Sequence, residues 1–322
     1  MRIVFFGTPP YVVPVIDKLH KAFKSRSLTS PIQAVVTQKP KPEGRKKRLK
    51  YSAVDTWAHT RDIPILLDAG ELLSNSIRAD VGVLAAYGEI ISKEIIDSFP
   101  QGILNIHPSL LPKYRGASPV RAALVTGEKQ TGVTIIKMDE KLDHGKVVSQ
   151  FSESISNEDT TQSLRSRLFE RSAEVIETLL PAYLKGKVTL RSQNHNDATF
   201  TTQIRKSHAF IDPGGLKAAL EGKTTKQNWQ IDFIKDTTLK YSPKTVERFI
   251  RAMQPWPVAW TKVKLKKGQD HKRLIILKAR LETSDGSREQ KLVLDEVQLE
   301  GKNAVTWKQF QEGYPSARFE SD

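Results

Sequence analysis

Cysteine is absent from all 322 residues, which excludes disulfides, thiolate nucleophiles and cysteine-bound zinc together. Chemistry has to come from oxygen and nitrogen groups. No cluster of His, Asp and Glu with metal-ligand spacing stands out, so no metal is expected. Long apolar runs are missing as well. The opening stretch MRIVFFG breaks at Gly7-Thr8-Pro9-Pro10, too short for the apolar segment of a signal peptide or for a membrane span. It predicts a first β-strand, in a cytoplasmic protein that engages no membrane. Neither G-x-G-x-x-G nor G-x-x-x-x-G-K-[ST] follows that strand, so a dinucleotide and a P-loop nucleotide both lack their motif. The turn at residues 7–10 is left as a plain strand end or as one wall of a substrate pocket.

Negative charge is scarce. Lys and Arg number 51 against 36 Asp and Glu, a formal +15 that points to a polyanionic partner. Two stretches hold nearly all of the excess. Residues 39–50, KPKPEGRKKRLK, carry seven cations against Glu43, and residues 205–322 carry 23 basic against 15 acidic side chains. Two prolines and a glycine make the first stretch a mobile loop rather than a helix. Such a loop is either solvated charge or a set of cations for the phosphates of a duplex, whose counterions it would release.

A hydrophobic fraction of 38% excludes wholesale disorder, and the length suggests two domains. Short apolar runs at 3–7, 32–37, 81–87 and 103–107 alternate with helical patterns at 12–24, 52–60, 92–99 and 118–126. Alternation of this kind predicts an α/β fold with a Rossmann-like doubly wound parallel sheet. Two β-rich stretches, 132–138 and 147–153, flank the turn at 141–146 and predict a hairpin appended to that sheet, and an amphipathic helix follows at about 160–185. Residues 191–203 lack periodicity. Beyond them a helical pattern at 245–253 precedes short strands at 259–265, 273–280, 291–298 and 303–306, which predict a smaller C-terminal β-barrel resembling an oligonucleotide-binding fold. The organisation expected is an α/β domain over 1–190, a linker over 191–204 and a barrel domain over 205–322.

Asn105-Ile106-His107-Pro108-Ser109-Leu110-Leu111-Pro112 closes a predicted strand, at the carboxyl end where open α/β sheets bind ligands. Asn105 and His107 are two residues apart, so an extended chain places both side chains on one face, able to aim at one reacting atom. Asp143, in Leu142-Asp143-His144-Gly145, is by itself an ordinary turn aspartate. A carboxylate is nevertheless what a histidine-centred site needs, to orient the imidazole and favour its charged form. His144 is the rival candidate.

NIHPSLLPKYRG at 105–116, paired with LDHG at 142–145, resembles the folate-dependent formyltransferases, whose pattern is N-x-H-[GP]-S-L-L-P followed by an LDxG turn. The opening FFGTP, the VTQ strand end with its basic K-P-x-G-R-x-K-x-L loop, AAYG at 85–88 and Trp256 in P-W-P-x-x-W narrow the likeness to the branch acting on methionyl-tRNA, and it spans essentially the whole chain. The resemblance implies 10-formyltetrahydrofolate as formyl donor and initiator methionyl-tRNA as acceptor, with 1–190 as the catalytic domain and 205–322 as a tRNA-binding barrel. It implies catalytic roles for Asn105, His107 and Asp143, and a folate-contacting turn at Ser109, Leu110, Leu111 and Pro112. Ala86, Tyr87 and Gly88 are then expected to wall the pterin site. Arg45, with Lys46, Lys47 and Arg48 beside it, is expected to meet the acceptor stem. No obligate protein partner is expected.

Pro108 departs from a frequent glycine, as it does in formyltransferases acting on glycinamide ribonucleotide, and Asp212-Pro213-Gly214-Gly215 lacks a tryptophan expected near the junction. Two other functions stand beside this one. A formyltransferase for a sugar nucleotide or purine precursor is disfavoured by the basic loop and the basic C-terminal part. A noncatalytic tRNA-binding protein on the same scaffold is disfavoured by the intact Asn105, His107 and Asp143.

Overall fold

In the computed structural model, which describes residues 1–25, 30–43, 48–266, 270–283 and 290–320, the apolar run Ile3–Gly7 forms β1 and is buried along its whole length. A strand covered on both faces has no polar side to show, which is why it reads as an unbroken apolar run. The chain continues through β2 (Ile32–Val36), a hairpin of β3 (Lys41–Glu43) and β4 (Arg48–Lys50), β5 (Ile65–Leu66), β6 (Val81–Ala85), β7 (Ile103–His107), the two-residue β8 (Arg115–Gly116), β9 (Gln130–Lys137) and β10 (Lys146–Ser154). Seven of these form one sheet in the order β10-β9-β7-β6-β1-β2-β5. The pairs from β5 to β7 are parallel, and β9 runs antiparallel to β7. The appended hairpin thus joins the sheet where residues 132–138 and 147–153 predict it.

Helices α1 (Val13–Phe23), α2 (Ala53–His59), α3 (Glu71–Ser74) and α4 (Lys93–Asp97) connect these strands. Ser52 caps α2 by accepting from the Asp55 N–H, and Ser92 caps α4 by accepting from Ile95. The Thr8 hydroxyl donates to the Tyr87 carbonyl at 3.2 Å and accepts the Gln38 N–H at 3.3 Å. It therefore ties together the carboxyl ends of β1, β2 and β6, so the Gly-Thr-Pro-Pro turn is framework for the ligand-binding edge of the sheet.

Two compact units share the chain. The first takes Met1–Arg115, Thr131–Ser154 and Arg165–Ala198, and the second Gly116–Gln130, Ile155–Leu164 and Thr199–Asp322. The division does not follow a single cut in the sequence, and residues 191–198 pack with the first unit. In the second, strands Trp260–Val263, Lys272–Thr283, Gln290–Leu299 and Ala304–Thr306 form a separate four-stranded antiparallel sheet in chain order. Single bridges from Phe210 to Trp260 and from Lys264 to Arg318 extend its first edge. Helix Pro243–Ala252 packs on this sheet with Phe249 and Ile250 buried, and its N-cap Ser242 accepts from Thr245.

Candidate active site

Register on β7 places Asn105 opposite Leu84 of β6 and His107 opposite Thr134 of β9. Both side chains are buried at the carboxyl end of the parallel strands, with 8% and 4% of their surface exposed. The turn between β9 and β10 delivers Asp143 to the same place. Asp143 stands at φ 45°, a left-handed conformation that aspartate tolerates better than most residues. Gly145 is required there for space, since a Cβ would fall 1.9 Å from the Lys137 carbonyl oxygen.

The Asn105 Nδ2 donates to Asp143 Oδ1 at 3.0 Å, and His107 Nδ1 faces Asp143 Oδ2 at 3.5 Å. One carboxylate thus holds both partners, whose pairing across 38 residues joins the two motifs. His107 Nε2 lies 3.0 Å from the Tyr114 carbonyl oxygen. A carbonyl only accepts, so Nε2 carries a proton, and a proton on Nδ1 as well would make the ring a cation against Asp143. Asn105 has no partner for its second amide hydrogen among the described residues.

The segment after β7 is locked from behind. Thr134 Oγ1 donates to the Ser109 carbonyl at 2.7 Å and accepts from the Leu111 N–H at 3.0 Å and from Gln150 Nε2 at 2.8 Å. Ser109 itself is fully buried and donates its hydroxyl to the Lys113 carbonyl. Leu111 packs inward with Ile136 and Val147, which leaves Leu110 and Pro112 as the partly exposed members of the turn. Across the edge, the Tyr87 ring is 1% exposed and packs edge-on against Phe6, while its hydroxyl donates to Glu89. Burial, followed by the Glu89 charge, raises the Tyr87 phenol well above its ordinary value. Of the expected pterin wall, only Ala86 and Gly88 retain exposed surface.

Thr134→Val removes the central hydroxyl of the turn at nearly constant volume. The Leu111 N–H is left without its acceptor, which costs about 1–3 kcal/mol for a buried donor. A melting curve should show the loss directly, and the Michaelis constant for the formyl donor should rise with it.

Other placements separate from this centre. His144 turns away from the pair: its Nδ1 meets Asp139 Oδ2 at 2.7 Å and its ring stacks on His195 at 3.8 Å. The basic run is built differently from the loop it suggests, because its flanks pair as an antiparallel hairpin, Lys41 with Lys50 and Glu43 with Arg48. Pro42 lacks an N–H but is tolerated on a two-stranded ribbon, where the sheet ends on both sides. Arg48, Leu49 and Tyr51 are exposed there; Arg45, Lys46 and Lys47 lie outside the described residues.

Three supporting groups escape the sequence reading. Tyr114, at φ 60°, supplies the carbonyl that holds His107. Arg115, 4% exposed, donates to Gln193 Oε1 at 2.7 Å and to His195 Nδ1 at 2.8 Å. Burial pulls its guanidinium below the ordinary value against the opposing pull of Asp143 and Asp139. A guanidinium only donates, so His195 Nδ1 accepts, and burial, then the charges of His144 and Arg115, lowers the His195 imidazole. Gln193, in the stretch without periodicity, donates to the Asp143 and Gly145 carbonyls at 2.9 and 2.8 Å.

Among the described residues no group of three or more His, Asp or Glu is placed to hold a metal ion, and no helix is long and apolar enough to cross a membrane. An asparagine, a histidine and a carboxylate gathered at a strand end bring hydrogen-bond donors and a proton-exchanging pair to one place. Residues 1–180 match the formyl transferase family. The chain is 36% identical over 267 residues to a methionyl-tRNA formyltransferase of Chloroflexus aggregans, covering 81% of this chain and 76% of the relative. A methionyl-tRNA formyltransferase of Listeria innocua is 35% identical over 266 residues, with 81% and 75% covered. The chain belongs to the methionyl-tRNA formyltransferases of this family.

Solved structures agree in fold. A methionyl-tRNA formyltransferase from Clostridium thermocellum superposes with TM-score 0.53 at 18% identity, over 93% of this chain and 98% of that one. An N-formyltransferase from Helicobacter canadensis, in complex with folinic acid and dTDP-3-aminofucose, gives 0.63 at 14% identity over 95% and 98%.

Proposed function

We propose that this chain, as a cytoplasmic enzyme, transfers the formyl group of 10-formyltetrahydrofolate to the free amino group of methionine on initiator tRNA. What carries the proposal is the single carboxylate of Asp143 holding both Asn105 and His107 at the end of β7, in a member of a family whose relatives bear that name.

The neutral amine attacks the formyl carbon, forming a C–N bond and an oxyanion. Collapse re-forms the carbonyl and breaks the bond to N10 of the folate, which leaves with a proton while the amine loses one. Asn105 is the group to meet the oxyanion, through the amide hydrogen that Asp143 does not use. His107 adds a second donor when its Nε2–H turns from Tyr114 to the substrate, and Asp143 holds the charged ring and takes part in moving the amine proton. Leu110, Pro112, Ala86 and Gly88 offer the exposed surface for the folate, with Ser109, Leu111 and Tyr87 shaping it from behind.

Labelled 10-formyltetrahydrofolate offered with initiator methionyl-tRNA, elongator methionyl-tRNA and a sugar nucleotide in parallel tests the proposal. Formyl transfer to the initiator in preference to the other two is expected. Preference for the sugar nucleotide would overturn the acceptor, and transfer to none of them would leave a binding protein.

The cations of residues 39–50 are proposed to engage the acceptor stem, with Arg45 carrying the specific part. A planar guanidinium can contact a phosphate or base edge with two parallel bonds, which an ammonium cannot. Arg45→Ala should therefore lower kcat/KM for the initiator more than Lys47→Ala does, and narrow its advantage over elongator methionyl-tRNA. Lys47→Ala should weaken both tRNAs alike and flatten the salt dependence. Kinetics with both tRNAs across a salt series distinguish the two patterns.

A further inference from the structure

Within the turn that carries Asp143, Asp139 accepts from the Lys141 N–H at 3.0 Å and meets the His144 ring at 2.7 Å. The turn leaves β9 after Lys137 and enters β10 at Lys146, and Asp143 sits in a left-handed conformation. A carboxylate serving two partners at 3.0 and 3.5 Å has little room to drift. Its backbone has to be held as well, because rotation of the peptide beside the aspartate would swing the carboxylate.

Gln193 meets that need. It lies 50 residues further along the chain, 7% exposed, and its two amide hydrogens go to two carbonyls of the turn, Asp143 at 2.9 Å and Gly145 at 2.8 Å. Donation to residues on both sides of His144 fixes the peptides that follow Asp143 and Gly145, and so restrains the direction of the Asp143 side chain. The amide is oriented in turn. Arg115 donates to Gln193 Oε1 at 2.7 Å, which determines which end of the side chain faces the turn. Arg115 is itself held by His195, stacked on His144, whose Nδ1 meets Asp139.

We propose that Gln193 is a positioning residue for formyl transfer: clamped by Arg115, it holds the Asp143 turn so that one carboxylate stays on both Asn105 and His107. It touches no reacting atom and acts through Asp143. The inference rests on the formyl-transfer function proposed above.

Two replacements separate this role from simpler ones. Gln193→Met fills the space without hydrogen bonds. Gln193→Glu keeps the size and gives Arg115 a charged acceptor, but presents oxygen instead of N–H to the two carbonyls. A residue that only fills space would be replaced by methionine, and one that only satisfies Arg115 by glutamate. Both variants should lose about tenfold or more in kcat with either KM changed by less than about twofold, as expected when a reacting group is displaced rather than a substrate contact removed.

The decisive measurement is a double-mutant cycle with Asp143→Asn. If Gln193 acts through Asp143, Gln193→Met added to Asp143→Asn should cost less than about twofold more. Backbone amide exchange over residues 139–146 should quicken in Gln193→Met, whatever the reaction. Wild-type kcat in either single variant, or the full tenfold loss repeated in the Asp143→Asn background, would overturn the proposal. A wild-type chain that transfers no formyl group would refute the assigned reaction, and unchanged amide exchange in the variant would then refute the clamp by itself.

Discussion

Asp143→Asn is expected to lower turnover by about a hundredfold or more, the low end of what acid–base groups contribute, with binding of the folate retained. The change is nearly isosteric. An asparagine can keep its Oδ1 on the Asn105 amide and turn its own N–H towards His107 Nδ1, so the arrangement of Asn105, residue 143 and His107 survives. What disappears is the negative charge beside the imidazole, the group proposed to share the amine proton. His144→Ala is the control. His144 meets Asp139 and stacks on His195, so its loss should cost only a few-fold. Single-turnover transfer to initiator methionyl-tRNA measures both. A larger deficit for His144→Ala than for Asp143→Asn would move the carboxylate role away from Asp143.

Asn105→Ala should be comparably severe, about 10²–10³ in kcat, the usual consequence of removing one oxyanion donor, or roughly 2.7–4 kcal/mol. The side chain is buried and one of its amide hydrogens already belongs to Asp143, so the other can be aimed without reorganisation. Asn105→Asp sharpens the test. It preserves shape but sets a second carboxylate against Asp143, where two like charges disfavour joint ionisation. Turnover of Asn105→Asp should be no better than that of Asn105→Ala. Retention of kcat within a few-fold in Asn105→Ala would remove the amide from the chemistry.

The three residues that meet at the end of β7 were legible because their signals are local. A two-residue spacing on a strand puts Asn105 and His107 on one face, and an Asp-x-Gly turn marks a place where backbone geometry is special. The parallel sheet was legible for a similar reason, since buried strands such as Ile3–Gly7 and Val81–Ala85 are unbroken apolar runs.

Support for the site was not legible. Tyr114 contributes a backbone carbonyl, which no side-chain pattern can announce, and Arg115 reaches Gln193 across 78 residues. Gln193 falls in a polar stretch without periodicity, so it read as a connection between domains. Helix Pro213–Leu220 was hidden for a different reason. Its first turn contains Gly214 and Gly215, poor helix formers, yet a Cβ at Gly215 would fall 2.4 Å from the Tyr241 ring. Close packing chose glycine against propensity, and the Asp212 cap with Pro213 behind it was the only remaining sign.

The interleaving of the chain between the two units has a consequence for its synthesis. Helix Pro119–Thr126 buries Val120, Ala123 and Leu124 and packs against helix Pro243–Ala252 of the same unit. A ribosome adding about 5–20 residues per second completes the second helix roughly 6–25 s after the first. Through that interval the apolar face of residues 119–126 has left the tunnel without the surface that covers it. Nascent chains stalled before residue 243 should accordingly recruit chaperones or aggregate, whereas the released full-length protein should do neither.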